Sequence, residues 1–412
     1  MEDLVGVPAF VRSGENSPRC NSAHLINELI FSSASTGVEG PTHLNTFSDP
    51  LREKILASSV VSSPDSFDLT EDSEGFWVEK AEELFGMTND DLAHFGRLSR
   101  IPKSAKQTVL ELIFHQMLSS SSLTPENLIS TAEQLGPYIR ELRLELNGCS
   151  FSDCQLEALR FFTELQVLTI ATNSDLSEDP ETIEWVFLEQ KSAKIIAENL
   201  NSANLREVAF EGSPIDGPLM TELLKGLQDA KDLEILSFKH SSLHEDALSL
   251  LVFFLGGYCR NLRVLDLSDC ELDDEAGFIV SEALFRHEMQ ISEINLSQNL
   301  FSSLSCAKIL ERISHNSSSP LKKIDFSSNM IEGAIVSQLA HLINSETRVE
   351  EIVLDGNEIK LSESSLKKLA NAISANKSFK KLSMRFSGLS RDQKIEAENF
   401  FVEANEKKFV LI

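Results

Sequence analysis

Asp266, Asn295 and Asp325 stand 29 and 30 residues apart, and each is followed two positions later by a serine, Ser268, Ser297 and Ser327. Carboxylates at such a spacing could act as acid–base groups, bind a cation, or accept hydrogen bonds from a partner. Acid–base or nucleophilic catalysis needs further groups, and the chain offers no Gly-rich phosphate loop, no H-E-x-x-H and no G-x-S-x-G. His240 and His244 fall at i, i+4, but across the end of one element and the start of the next, a poor metal site. The six cysteines, Cys20, Cys149, Cys154, Cys259, Cys270 and Cys306, form no C-x-x-C and read as reduced thiols. The recurring polar row therefore reads as a recognition surface, with no catalytic residue and no cofactor.

The row recurs because the segment around it recurs. In Leu262–Leu272, the residues Leu262, Leu265, Leu267, Cys270 and Leu272 occupy positions 1, 4, 6, 9 and 11. The same frame holds Ile291, Ile294, Leu296, Asn299 and Phe301, then Leu321, Ile324, Phe326, Asn329 and Ile331. Val349, Ile352, Leu354, Asn357 and Ile359 repeat it again, and Phe379, Leu382, Met384, Ser387 and Leu389 give a degenerate copy. Earlier copies start at Leu165, Leu205 and Leu233. In the first copy Leu144, Leu146, Cys149 and Phe151 fill positions 4, 6, 9 and 11, which puts Glu141 at position 1. Alternate residues of a strand share a face, so positions 4 and 6 enter one core while positions 5 and 7 point away from it. An Asn or Cys at position 9 suits the turn out of the strand.

From Leu205 the copies start at intervals of 28, 29, 29, 30, 28 and 30 residues. That is enough for a strand and a full helix. Ala276, Ile279, Val280, Ala283 and Leu284 have helical spacing, as do Leu366, Leu369, Ala370 and Ile373. Helices are about 10 Å across and neighbouring strands about 4.8 Å apart, so the stack bends with its strands inside. This pattern resembles the ribonuclease-inhibitor-like class of leucine-rich-repeat proteins. The resemblance implies an α/β solenoid, a horseshoe with an inner parallel sheet and outer helices. It also implies a protein partner on the concave face.

The domain reading has four parts. Residues 1–74 form a Ser-rich disordered leader, 75–136 a helical N-terminal cap, 137–390 about nine repeats, and 391–412 a closing helix. Thr124-Pro125 is a helix start and Gly136 a helix stop. From Leu165 to Leu205 is 40 residues, and the surplus at 174–189 carries Glu178 and Asp179 beside Trp185, a candidate binding insertion. The concave candidates are Asp266, Ser268, Asn295, Ser297, Asp325 and Ser327; beside them Lys322-Lys323, Glu350-Glu351 and Lys380-Lys381 alternate in sign.

The net charge of −27 argues against nucleic acid and favours a protein partner with a basic surface. No apolar run is long enough for a membrane span, and the first residues lack a secretory signal pattern. The expected state is an intracellular, cytoplasmic monomer, or an effector that an intracellular bacterium delivers into a host cell. Two other readings come from resemblance. A likeness to the Ran GTPase-activating protein implies a small-GTPase regulator, although no matching loop motif is present. Leu112–Leu118 resembles part of an F-box, implying a ubiquitin-ligase adaptor, although Ile101-Pro102 precedes it at a different spacing.

Overall fold

The computed structural model describes residues 69–98, 101–118, 124–146, 151–172, 187–284, 290–386, 395 and 409–410, all within the unit Lys54–Ile412. The leader before residue 69 and the insertion residues 174–186, with Glu178, Asp179 and Trp185, lie outside the described residues.

Among the described residues four helices come first: α1 (Glu74–Phe85), α2 (Asn89–Leu98), α3 (Ala105–Leu118) and α4 (Pro125–Leu135). Trp77, Ala81, Val109, Leu110, Phe114, Leu128 and Ala132 close their shared core at 2 % exposure or less. Thr124 caps α4, its hydroxyl accepting the Asn127 N–H at 3.3 Å with Pro125 in the first turn. Gly136 follows that helix and opens the 3₁₀ turn Gly136–Tyr138, where only glycine fits, since a Cβ would sit 2.6 Å from the Phe161 carbonyl oxygen.

Then one unit repeats. Among the described residues ten strands pair in parallel, strictly in chain order: β1 (Glu141–Leu146), β2 (Val167–Thr172), β3 (Glu207–Glu211), β4 (Ile235–Ser237), β5 (Val264–Asp266), β6 (Glu293–Asn295), β7 (Lys323–Asp325), β8 (Glu351–Val353), β9 (Lys381–Ser383) and β10 (Phe409–Val410). Helices alternate with them: α5 (Phe151–Glu157), α6 (Gln190–Asn199), α7 (Gly217–Gly226), α8 (Glu245–Tyr258), α9 (Asp274–Leu284), α10 (Ser303–Ser314), α11 (Val336–Asn344) and α12 (Glu363–Ala375). Position 4 forms one column, from Leu142, Leu168, Val208, Leu236, Leu265, Ile294, Ile324 and Ile352 to Leu382. Every member is at most 5 % exposed, and each such side chain stabilises the stack by about 1.5–3 kcal/mol. β10 falls within 391–412, where the sequence suggests only a helix.

The register corrects the first repeat. Leu142, not Leu144, pairs with Leu168, so position 1 is Ile139, which is fully buried, and not Glu141. Leu142, Leu144 and Leu146 alternate, so a slip of two residues keeps leucines on the same face. Burial of Ile139 decides between the two frames.

Strand entry follows one rule in eight successive repeats. The N–H groups at positions 2 and 3 both bond the position 2 carbonyl of the preceding repeat, as Gln166 and Val167 do to Arg140 at 2.8 and 2.9 Å. Strand exit follows another. Asn329 Nδ2 donates to the carbonyls of Leu296 and Phe326, both at 3.0 Å, while its Oδ1 accepts the Phe301 N–H at 3.1 Å. Asn299 and Asn357 make equivalent bonds, and Cys270 Sγ reaches the Phe238 carbonyl at 3.1 Å in the same place.

Candidate protein-binding face

Register places Asp266, Asn295 and Asp325 side by side on β5, β6 and β7. Neighbouring strands are about 4.8 Å apart, so these side chains line one row on the face opposite the core. Each folds back on its own strand. Asp266 Oδ1 accepts the Ser268 N–H at 2.9 Å and the Ser268 hydroxyl at 2.6 Å. Asp325 Oδ1 does the same for Ser327, at 2.8 and 2.6 Å, and Asn295 Oδ1 accepts the Ser297 N–H at 3.1 Å.

The reason lies in the sheet. The position 6 carbonyl, which would receive the next strand's position 7 N–H, is taken by the position 9 Asn or Cys. The position 7 amide then needs another acceptor, and the position 5 side chain provides one. One further member was not evident in the sequence. Position 5 of β8 is Val353, and Asp355 reaches across instead, its Oδ1 accepting the Ser383 hydroxyl at 2.6 Å and the Arg385 N–H at 2.8 Å. The signal available was an Asp two residues beyond the expected column.

The second carboxylate oxygens of Asp266, Asp325 and Asp355 make no hydrogen bond among the described residues. Burial pushes the Asp325 carboxyl above its ordinary range; the two Ser327 bonds and Lys323 oppose this, and Asp355 adds to it. An ionised, partly desolvated carboxylate of this kind is complementary to a cation.

The flanks are mixed. Lys380 pairs with Glu350, and Lys381 with Glu351 at 2.7 Å. Lys322 and Lys323 form no ion pair with Glu350 or Glu351 among the described residues, so the expected alternation is realised on one side only.

A further row runs along the strand exits. Position 8 is left-handed in every repeat from Gly212 onward, through His240, Asp269, Gln298, Ser328 and Gly356 to Phe386, with φ between 53° and 85°. The conformation aims the N–H of His240, Asp269, Gln298, Ser328 and Gly356 at the next repeat's position 7 carbonyl, as in His240 to Ser268 at 3.0 Å and Asp269 to Ser297 at 2.9 Å. Non-glycine residues there cost roughly 1–2 kcal/mol each in backbone strain. Their side chains project at the edge, where His240 Nδ1 meets Asp269 Oδ2 at 2.7 Å and Phe386 is 63 % exposed.

His240 and His244 do not converge on a ligand. His240 faces Asp269, and His244 precedes α8 as its N-cap. No group of three or more metal-ligating residues occurs among the described residues. Burial pushes the Cys259 thiol up to about 12 and raises Cys270 and Cys306 as well, which suppresses the thiolate at neutral pH. No helix among the described residues is long and apolar enough to cross a membrane.

A leucine-rich-repeat family model matches residues 258–278, the segment that includes β5. No curated protein matches the chain in sequence. Among solved structures, the chain is similar to an internalin of Listeria monocytogenes, with 13 % identity and a TM-score of 0.33 over 73 % of this chain and 88 % of that one. It is also similar to the leucine-rich-repeat protein LegL7 of Legionella pneumophila, with 16 % identity and a TM-score of 0.41 over 69 % and 87 %. The Rad7 and Elc1 complex of yeast gives 13 % identity and a TM-score of 0.40 over 91 % and 88 %. None of the three bears on what this chain binds. The in-register parallel strands, the alternating helices and the matched segment make the fold an α/β leucine-rich-repeat solenoid.

Proposed function

We propose that the chain is a non-catalytic scaffold that binds a protein with a basic surface across β5–β8. The observation that carries this reading is the row of Asp266, Asp325 and Asp355, each with Oδ1 held by the fold and no hydrogen bond to its second oxygen among the described residues. Lys or Arg side chains fit such acceptors, and Arg fits them best. Asn295 separates Asp266 from Asp325, whereas Asp355, on the repeat after Asp325, adds to the rise of its carboxyl.

The adaptor reading meets an obstacle. Leu112, Ile113, Phe114 and Met117 are buried within the cap, with Phe114 edge-on to Phe162 at 5.2 Å. They serve the core of this chain.

The test is affinity capture with quantitative mass spectrometry, comparing wild type with Asp325→Asn/Asp355→Asn. Asn keeps the fold-side acceptor and removes the charge. The reading expects the same partners to be lost from the variant, and those partners to bear basic surfaces. Equal capture by both proteins would sink it.

A further inference from the structure

A second surface lies beside the concave face, where the strands turn into the helices. Position 10 of four successive repeats reads Glu271, Leu300, Met330 and Glu358. Adjacent members are tied through backbone bonds: the Leu300 N–H to the Leu272 carbonyl at 2.8 Å, and the Met330 N–H to the Phe301 carbonyl at 2.9 Å. Short parallel bridges join Ser302 to Met330 and Glu332 to Glu358. Leu300 is 48 % exposed and Met330 56 %, so two large apolar side chains stand in water in one row.

The next row, on the helix starts, repeats the arrangement. Glu245, Glu275 and Leu304 each lie within the first two residues of α8, α9 and α10. α9 and α10 run so close that a Cβ at Gly277 would lie 2.6 Å from the Ser305 Cβ. Leu304 is 65 % exposed. Glu275 hydrogen-bonds Glu245 and raises its carboxyl above the ordinary range. Thus exposed Leu300 and Leu304 lie on one repeat and exposed Met330 on the next, with Glu245, Glu271 and Glu275 on the two repeats before them and Glu332 and Glu358 on Met330's own repeat and the one after.

We infer that this edge docks a cationic amphipathic segment of a protein partner, an aliphatic or aromatic anchor flanked by Lys or Arg. The apolar centre with a charged rim is the anatomy of a binding surface. The sign of the rim chooses the occupant. A second copy would set carboxylates against carboxylates, and an anionic bilayer would be repelled. The inference is independent of the concave-face reading, since none of these residues belongs to the Asp266–Asp355 row.

The experiment pans a display library of short random peptides against the full-length chain and measures labelled winners by fluorescence anisotropy. The expected winners carry an apolar residue between Lys or Arg, and their affinity falls with salt. Leu300→Ser/Met330→Ser should weaken them by about tenfold or more. Glu271→Lys/Glu358→Lys should weaken them too, whereas Asp325→Asn/Asp355→Asn should leave them unchanged. No enrichment, winners without that pattern, or equal binding by the edge variants overturns the proposal. So does wild-type self-association, or binding to phosphatidylserine vesicles, that the Leu300→Ser/Met330→Ser change abolishes.

Discussion

Glu111 accepts the backbone N–H of Arg140 on one oxygen at 3.0 Å, and on the same oxygen the N–H of Glu141 at 3.0 Å. In each of the next eight repeats this pair of amides bonds a single carbonyl oxygen of the repeat before. The first strand has no repeat before it, and a side chain of the cap takes the place of the missing carbonyl. The other oxygen of Glu111 meets Lys103 at 2.6 Å, and Lys103 also pairs with Glu141.

Glu111→Ala should therefore orphan two buried amides and leave Lys103 with one partner. Breaking a buried pair of this kind costs about 3–5 kcal/mol. Glu111→Gln keeps an amide acceptor and should lose less. Urea denaturation of the three proteins checks the order, and hydrogen exchange should show the loss beginning at residues 140–141. Equal stability of all three would mean the cap does not terminate the ladder.

His115, on α3, is mostly buried, and burial pushes its imidazole down to about 4, with Glu141 opposing. Its folded value lies below its unfolded one, so the stability tied to neutral His115 is present above about pH 6.5. It is lost as pH falls towards 4, reaching at most roughly 3 kcal/mol. Wild type should thus unfold more readily at pH 4.5 than at pH 7, and His115→Gln should flatten that part of the profile. Urea midpoints across this range provide the measurement.

Much of this architecture was legible because repetition multiplies a weak local signal. A single Leu-x-x-Leu-x-Leu segment says little, but the intervals from Leu205 onward leave room for one strand and one helix each, and the register agrees from β2 to β9. Contacts whose partners obey no periodicity were hidden. Glu111 sits in another helix from the amides it serves, and nothing in its own segment points to Arg140. Position 8 escaped notice because its left-handed backbone is occupied by Gly, His, Asp, Gln, Ser and Phe alike. The polar row was visible, but its dual nature was not: the sequence places Asp325 on the open face, while only the geometry shows one of its oxygens closing the strand.

The strand exits make a graded prediction. Asn329→Ala removes three donated bonds and one accepted bond from backbone groups, and should destabilise by about 2–4 kcal/mol. Asn329→Cys should recover part of the loss, since Cys270 already bonds the equivalent Phe238 carbonyl through sulfur. Thermal unfolding of the two variants tests this; a Cys variant no better than Ala would deny the equivalence.

Asp325 separates folding from binding. Burial raises its folded carboxyl above the unfolded value, so the associated stability is fully present below the unfolded value and is lost as pH rises through the folded one. Where it is ionised, the group is a cost that the fold bears. Asp325→Asn retains an oxygen for the Ser327 N–H and hydroxyl and removes the charge, so its urea midpoint at pH 7 should rise above wild type. The gain should shrink in acid, where the wild-type carboxyl is itself protonated. Asp325→Lys removes the acceptor as well and should fall below wild type at both pH values, leaving the Ser327 amide without its partner. If the same Asn variant that gains stability also loses its basic partner, the charge is retained for recognition. A variant that gains stability and keeps every partner would show Asp325 to be a strand cap alone.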